Sequence, residues 1–164
     1  MSPFLGEFIG TALLILMGGG VVANVVLNKT YGQNSGWIVI SFGWAMAVFL
    51  GVYTSVKLGG SGHLNPAVTI ALAATGAFKS SLVASYLLAQ LAGAFTEAVL
   101  VWLTYNKHFE DSSDADLKKA IFCTAPAIRS PLHNLITEFI GTFVLMFGAL
   151  AFTPATTSLG TLDA

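Results

Sequence analysis

Four apolar runs decide most of what this chain can fold into: Phe4 to Leu27, Trp37 to Val56, Leu82 to Tyr105 and about Leu132 to Phe152. Each is long enough to cross a hydrocarbon core of roughly 30 Å, which takes about 20 helical residues. Inside that core every backbone N–H and C=O needs an internal partner, and a long apolar run meets the demand as a helix. Composition agrees. Hydrophobic residues are 55% of the 164 and charged residues only 9%, where a soluble domain carries about a quarter charged. Mean hydropathy is +0.77. The expectation is an all-α transmembrane protein. Trp37, Trp102 and Tyr105 flank the runs and suit membrane interfaces. The start, MSPFLGEF, has no basic leader and carries Glu7 inside the first run, so no cleaved signal is expected.

A fifth apolar stretch, Ala67 to Phe78, has twelve residues. As a helix it is about 18 Å long, half a membrane. It follows the run SGHLNPAVTIA, Ser61 to Ala71. Proline costs nothing in a first helical turn, and Asn65 before it is a good N-cap. Asn65, Pro66 and Ala67 therefore start a half-helix within the membrane. Irregular backbone at that depth survives only where protein buries it or a wet cavity runs beside it. The preceding LGGSGHL is such backbone: its glycines permit tight turns, and its carbonyls can replace water around a passing polar solute. The half-helix adds its positive end at the same place.

Two polar stretches break the pattern. Asn28 to Gly36 is turn-rich. Asn106 to Ser130 carries most of the charge, and its SSDADLKKAIF has Asp early and Lys late, which predicts a short surface helix. Lys107, Lys118, Lys119 and Arg129 are matched by Glu110, Asp111, Asp114 and Asp116, so the charge does not orient the chain. A net charge of −1 argues against nucleic acid as a partner. The single cysteine, Cys123, has no partner for an internal disulfide and reads as a small buried or loop residue. No histidine, cysteine or carboxylate cluster has metal-ligand spacing, so neither a metal nor a cofactor is expected.

The sequence also repeats. EFIGTALLIL begins at Glu7 and EFIGTFVLMF at Glu138, identical in their first five residues. An odd number of spans from one copy to the other inverts the second, and inverted repeats mark transport proteins with a site at the repeat interface. The expected organisation is one membrane channel domain over 1–164, with a first repeat at about 1–105, a connecting loop at 106–130 and the start of a second repeat at 131–164. The chain is expected to be incomplete.

With these residues in view, SGHLNPAVTIALA resembles the first signature motif of the major intrinsic proteins, the aquaporin and glycerol-facilitator family, and the EFIGT repeat resembles the family's opening helices. The chain is most similar to bacterial glycerol uptake facilitators, over about the first two-thirds of a member. The resemblance implies an aquaporin-like inverted-repeat bundle. This segment would hold four spanning helices and one re-entrant half-helix of a complete six and two. It implies a homotetramer with one pore per subunit, in the cytoplasmic membrane of a bacterium. It implies passive passage of glycerol, related polyols and water, with a water-selective pore as the alternative. Carried over by position, Asn65 is the amide donor of the pore, Leu64 the apolar residue beside it, and Ser61, Gly62 and His63 supply carbonyls. The family usually reads Ser-Gly-Ala-His where this chain reads GGSGH, one residue longer. Allowing for that insertion, Trp44 falls at the aromatic of the selectivity filter, and Val48 one turn later shares its stripe.

Other residues receive packing roles. Glu7 and Glu138, costly in a membrane, are expected to accept hydrogen bonds from the N–H groups of re-entrant loops. Gln90 is expected to bond between helices. Gly6 with Gly10, and Ala89 with Gly93, are small-xxx-small pairs that let helices approach. Glu97 matches no family role. GGSG, Gly59 to Gly62, also matches the Gly-x-Ser-Gly of intramembrane serine proteases, but such an enzyme needs a histidine base from another span. His108 and His133 lie in or beside the charged loop and His63 is two residues from Ser61, so no catalytic residue is assigned. An ion-coupled transporter would want ionisable groups around Asn65, and only His63 is there.

Overall fold

A computed structural model describes residues 2–151. It contains seven α-helices among the described residues: α1 (Pro3–Val26), α2 (Trp37–Lys57), α3 (Pro66–Ala74), α4 (Val83–Thr104), α5 (Asn106–Asp111), α6 (Ala115–Ala120) and α7 (Pro131–Ala151). A short 3₁₀ turn, Ser80–Leu82, leads into α4. Four helices are long and apolar enough to cross a membrane. Three helices, α1, α3 and α6, have side-chain caps at their starts. Ser2 caps α1 by accepting from the Leu5 amide, with Pro3 in the first turn, and Asn65 and Pro66 do the same for α3. Asp114 caps α6, the surface helix expected within the charged loop, by accepting from the amides of Asp116 and Leu117. The described residues form two compact units, divided between Ala125 and Pro126. Within the second, α7 is a single span that begins at Pro131.

The first unit is held together by small residues. A Cβ on Gly10 would fall 2.8 Å from the Gly51 carbonyl oxygen, and one on Gly51 would fall 2.8 Å from that of Gly10. No side chain fits there, so α1 and α2 touch backbone to backbone. Gly6 lies against Ser55 and Gly60, and Gly43 against Val21. Positions rising along α1 thus meet positions falling along α2, and the two helices are antiparallel. Against α4 the order is the reverse: Glu7 meets Gln90, Phe8 and Ala12 meet Gly93, and Gly19 meets Val101. The helices α1 and α4 are parallel.

That parity fixes the path of the segment between α2 and α4. The end of α2 and the start of α4 lie on one side of the bundle, so residues 58–82 enter and return to the side they came from. The Leu64 side chain reaches Gly10 and Gly51. Gly51 is six residues inside the end of α2, about 9 Å at 1.5 Å per residue. The nine-residue α3 is re-entrant, and Gly76, with φ of 77°, turns the chain after it.

At the other end of the bundle Val22, Ala23, Val25, Leu27, Ile40 and Val101 form an apolar cluster closed by Phe109 of α5 and by Ile121. Elsewhere the long apolar side chains point outward, among them Ile38, Phe42 and Phe49 on α2 and Leu88, Leu91 and Phe95 on α4. Exposed patches of that extent are alien to a soluble monomer; against lipid they are the ordinary surface.

Candidate pore-lining site

Glu7 organises the re-entrant segment. It is fully buried. Its Oε1 accepts from Ser55 Oγ at 3.0 Å and from the His63 amide at 3.0 Å. Its Oε2 accepts from the Leu64 amide at 2.9 Å and from Gln90 Nε2 at 3.0 Å. A carboxylate has about four lone-pair sites, and four donors from α2, the loop and α4 take them. Two of those donors, the amides of His63 and Leu64, belong to a strained stretch: Leu64 has φ of 50°, in the left-handed region, and Gly62 has φ of 70°. A left-handed conformation costs a residue with a side chain about 1–2 kcal/mol. The hydrogen bonds to Glu7 hold it.

A second set of bonds radiates from Thr69. Its hydroxyl donates to the Asn65 carbonyl at 3.1 Å and accepts from Gln90 Nε2 at 3.0 Å. Its remaining contact is with His63 Nδ1 at 3.1 Å. The ring itself is wedged between Phe78 and Tyr86, at centroid distances of 4.6 and 5.1 Å. Ser61 Oγ pairs with Tyr86 Oη at 2.9 Å, and Ser55 Oγ accepts from the Gly62 amide at 3.1 Å.

Asn65 is left with a directed donor. Its Oδ1 accepts from the Ala67 amide at 2.8 Å, which fixes the amide's orientation. Among the described residues its Nδ2 meets no acceptor. The carbonyls of Ser61, Gly62 and His63 likewise accept no hydrogen bond from a described residue. One short segment therefore presents free acceptors followed by a free donor, without a full charge.

Trp44 lies elsewhere. It stands seven residues before Gly51 on α2, about 10 Å away along the helix. There it lines a cavity of about 820 Å³ together with Trp37, Ile40 and Ser41 of α2, Gly19 and Val22 of α1, Ala94 and Ala98 of α4, and the stretch from Ala120 to Thr124. Cys123 is exposed and lines the same cavity. Val48 is 45% exposed and is not part of that lining. Glu138 is exposed on α7. Glu97 lies on the stripe of α4 that faces α1, four residues after Gly93 and four before Val101, and its buried Oε2 has no hydrogen-bond partner among the described residues.

Ser55, Thr69 and Tyr86 join the site without having stood out in the sequence. Thr69 and Tyr86 carry a weak signal, since each lies four residues, about one helical turn, from a named polar residue: Thr69 after Asn65 and Tyr86 before Gln90. Ser55 carries none, because its partners lie 48 residues away at Glu7 and seven away at Gly62.

A family model described as "Major intrinsic protein" matches residues 1–163. Relatives agree with it. The "Probable glycerol uptake facilitator protein" of Thermotoga maritima is 54% identical over 150 residues, covering 92% of this chain and 64% of its own length. "Glycerol uptake facilitator protein 3" of Lactiplantibacillus plantarum is 50% identical over 149 residues, covering 91% of this chain and 62% of its own. The "Glycerol uptake facilitator protein" of Streptococcus pneumoniae strain R6 is 49% identical over 151 residues, covering 92% and 64%. The chain thus spans somewhat under two-thirds of the length of these relatives.

Proposed function

This chain belongs to the major intrinsic protein family, an integral membrane family of helical bundles, and from that premise we propose that the full-length protein is a passive channel for glycerol, similar small polyols and water. One observation carries the reading: among the described residues the Nδ2 of Asn65 has no acceptor and follows carbonyls of Ser61, Gly62 and His63 that have no donor. A solute hydroxyl both donates and accepts, so it exchanges bonds along such a ladder. No fixed charge lies on the ladder to bind an ion or to couple transport to one. His63 is committed to Thr69, where it props the loop, and Ser61 to Tyr86. The protein is a transporter of solute and not an enzyme.

The choice of polyol over water rests on Trp44 and its cavity. An indole face takes the C–H edge of glycerol while carbonyls and amides take its hydroxyls. The names borne by the relatives support the same substrate. We place the protein in the cytoplasmic membrane of a bacterium, as a homotetramer whose subunits each carry a pore. Its second repeat would begin with α7, and Glu138 there would accept from a second re-entrant loop as Glu7 does from the first.

The test is shrinkage and reswelling of proteoliposomes carrying the full-length protein after a jump in external glycerol. Reswelling faster than in empty liposomes, without any ion gradient, is expected. Uptake that requires a proton or sodium gradient would overturn the channel reading. Fast water flux with no glycerol flux would replace the polyol reading by a water-selective one.

A further inference from the structure

Three consecutive glycines, Gly18 to Gly20, sit in the middle of α1, where helix propensity disfavours them. Only the first is required by what it touches. A Cβ on Gly20 would meet nothing within 4 Å, and one on Gly19 would make ordinary contact with Val101 at 3.5 Å. A Cβ on Gly18 would lie 2.6 Å from Cη2 of Trp44 and closer still to its Cε3 and Cζ3, where real contacts essentially never fall below 3.0 Å. All three atoms belong to the six-membered ring. The outer edge of the indole therefore rests on a bare stretch of α1 backbone.

The helices cannot part to make room for a methyl group. One turn further along α1, Val21 fills the space over Gly43, where a Cβ would be 2.7 Å from Val21 Cγ1. Eight residues before Gly18, Gly10 and Gly51 touch backbone to backbone. These contacts pin α1 to α2 on both sides of Trp44. A side chain at position 18 has to displace the ring instead, and the ring borders the cavity.

We propose that Gly18 is a positioning residue for solute selection: by offering no side chain, it sets how far the Trp44 indole stands into the pathway. The inference rests on the reading of Trp44 as part of the pathway wall. An added methyl pushes the indole into the cavity and narrows it. Glycerol, the wider solute, is penalised more than water.

The experiment uses the full-length protein in proteoliposomes, with glycerol and water permeability measured on the same preparation. Gly18→Ala is expected to lower the glycerol-to-water ratio roughly tenfold, the scale of one misplaced methyl group in a selective pocket. Gly20→Ala should leave the ratio unchanged. Trp44→Phe removes the ring atoms that meet position 18, so Gly18→Ala added to Trp44→Phe should have no further effect. A merely structural role would lower both permeabilities together and would not be erased by Trp44→Phe. If Gly18→Ala alone fails to accumulate, recovery of folded protein in the double variant supports the contact, and failure to recover overturns it. An altered ratio in Trp44→Phe with an unaltered ratio in Gly18→Ala overturns the role of Gly18 alone. An unaltered ratio in Trp44→Phe overturns the pathway-wall reading of Trp44 and this inference with it.

Discussion

The two ends of the Asn65 amide meet different surroundings. Its oxygen caps α3, and among the described residues its nitrogen meets no acceptor, so cap and donor separate by substitution. Aspartate caps a helix as well as asparagine does, and Asn65→Asp should insert and fold. It loses the free donor and brings a charge into the membrane at a cost of about 2.5–3.5 kcal/mol on insertion scales. Glycerol flux should therefore fall by at least an order of magnitude at unchanged protein yield; wild-type flux from purified Asn65→Asp would remove Asn65 from the pathway. Glu7 is the opposite case. Glu7→Gln keeps the shape but turns one acceptor oxygen into a donor, which then faces two donors it cannot satisfy. Each stranded group costs about 1–3 kcal/mol, and the left-handed Leu64 loses its restraint. Lower thermal stability in detergent with an unchanged glycerol-to-water ratio is expected, and the reverse pattern would move Glu7 to the pathway wall. Asn65 was legible in the sequence because capping is local: the amide, the proline and the apolar run are adjacent. The burial of Glu7 was legible in outline, since a carboxylate in an apolar run must find donors. Its partners at Ser55 and Gln90 were not, because they come from helices 48 and 83 residues away.

Among the elements, the spans follow directly from their apolar length, and α3 from its shortness. The direction of the segment around α3 needed the parallel packing of α1 and α4, which rests on contacts between glycines and backbone. A glycine in a sequence does not say what fills the space it leaves. The loops were the least legible part. The turn-rich stretch after α1 is clasped to the end of α5. The Asn28 amide donates to Ser112 Oγ at 2.8 Å, its side chain donates to the Asp111 carbonyl at 3.0 Å, and His108 Nδ1 donates to the Asn28 carbonyl at 2.9 Å. Lys29 pairs with Asp111. The exposed ion pair contributes little, since surface pairs are worth about 0–1 kcal/mol. The Ser112 bond matters more: Ser112 is 5% exposed and takes an amide that has no other partner among the described residues. Ser112→Ala should raise hydrogen exchange at Asn28 and along residues 28–36 by about tenfold, the equivalent of roughly 1.4 kcal/mol. Lys29→Ala should change it far less. Equal effects from both would mean that charge, and not the buried hydroxyl, holds the two loops together.

For the whole molecule the question is whether the cavity beside Trp44 belongs to the route that leads to Asn65. Leu64, next to Asn65, packs at Gly51, and Trp44 stands about 10 Å away along the same helix. A pathway running along α2 would pass one and then the other. The cavity wall formed by Ala120 to Thr124 closes over Trp44 from the side of the loop after α4, and a solute coming from that side would pass this wall first. Cys123 is on it, exposed, and supplies a chemical handle that needs no new side chain. A thiolate attacks a methanethiosulfonate reagent, and an exposed thiol is open to it. A charged reagent of this kind does not cross the bilayer, so it tests the route and the orientation in one measurement. Added to one face of cells or oriented vesicles carrying the full-length protein, a bulky cationic reagent should modify Cys123 and stop most of the glycerol flux. Cys123→Ser should conduct normally and resist the reagent, which excludes cysteines elsewhere in the protein. Reagent on the opposite face should do nothing, and the face that responds is the one bearing α5 and α6, which the balanced charges of the loop do not reveal. Complete modification of Cys123 with flux intact would show that glycerol bypasses this cavity. Trp44 would then be a packing residue between α1 and α2, and the pathway would have to be traced from Asn65 alone.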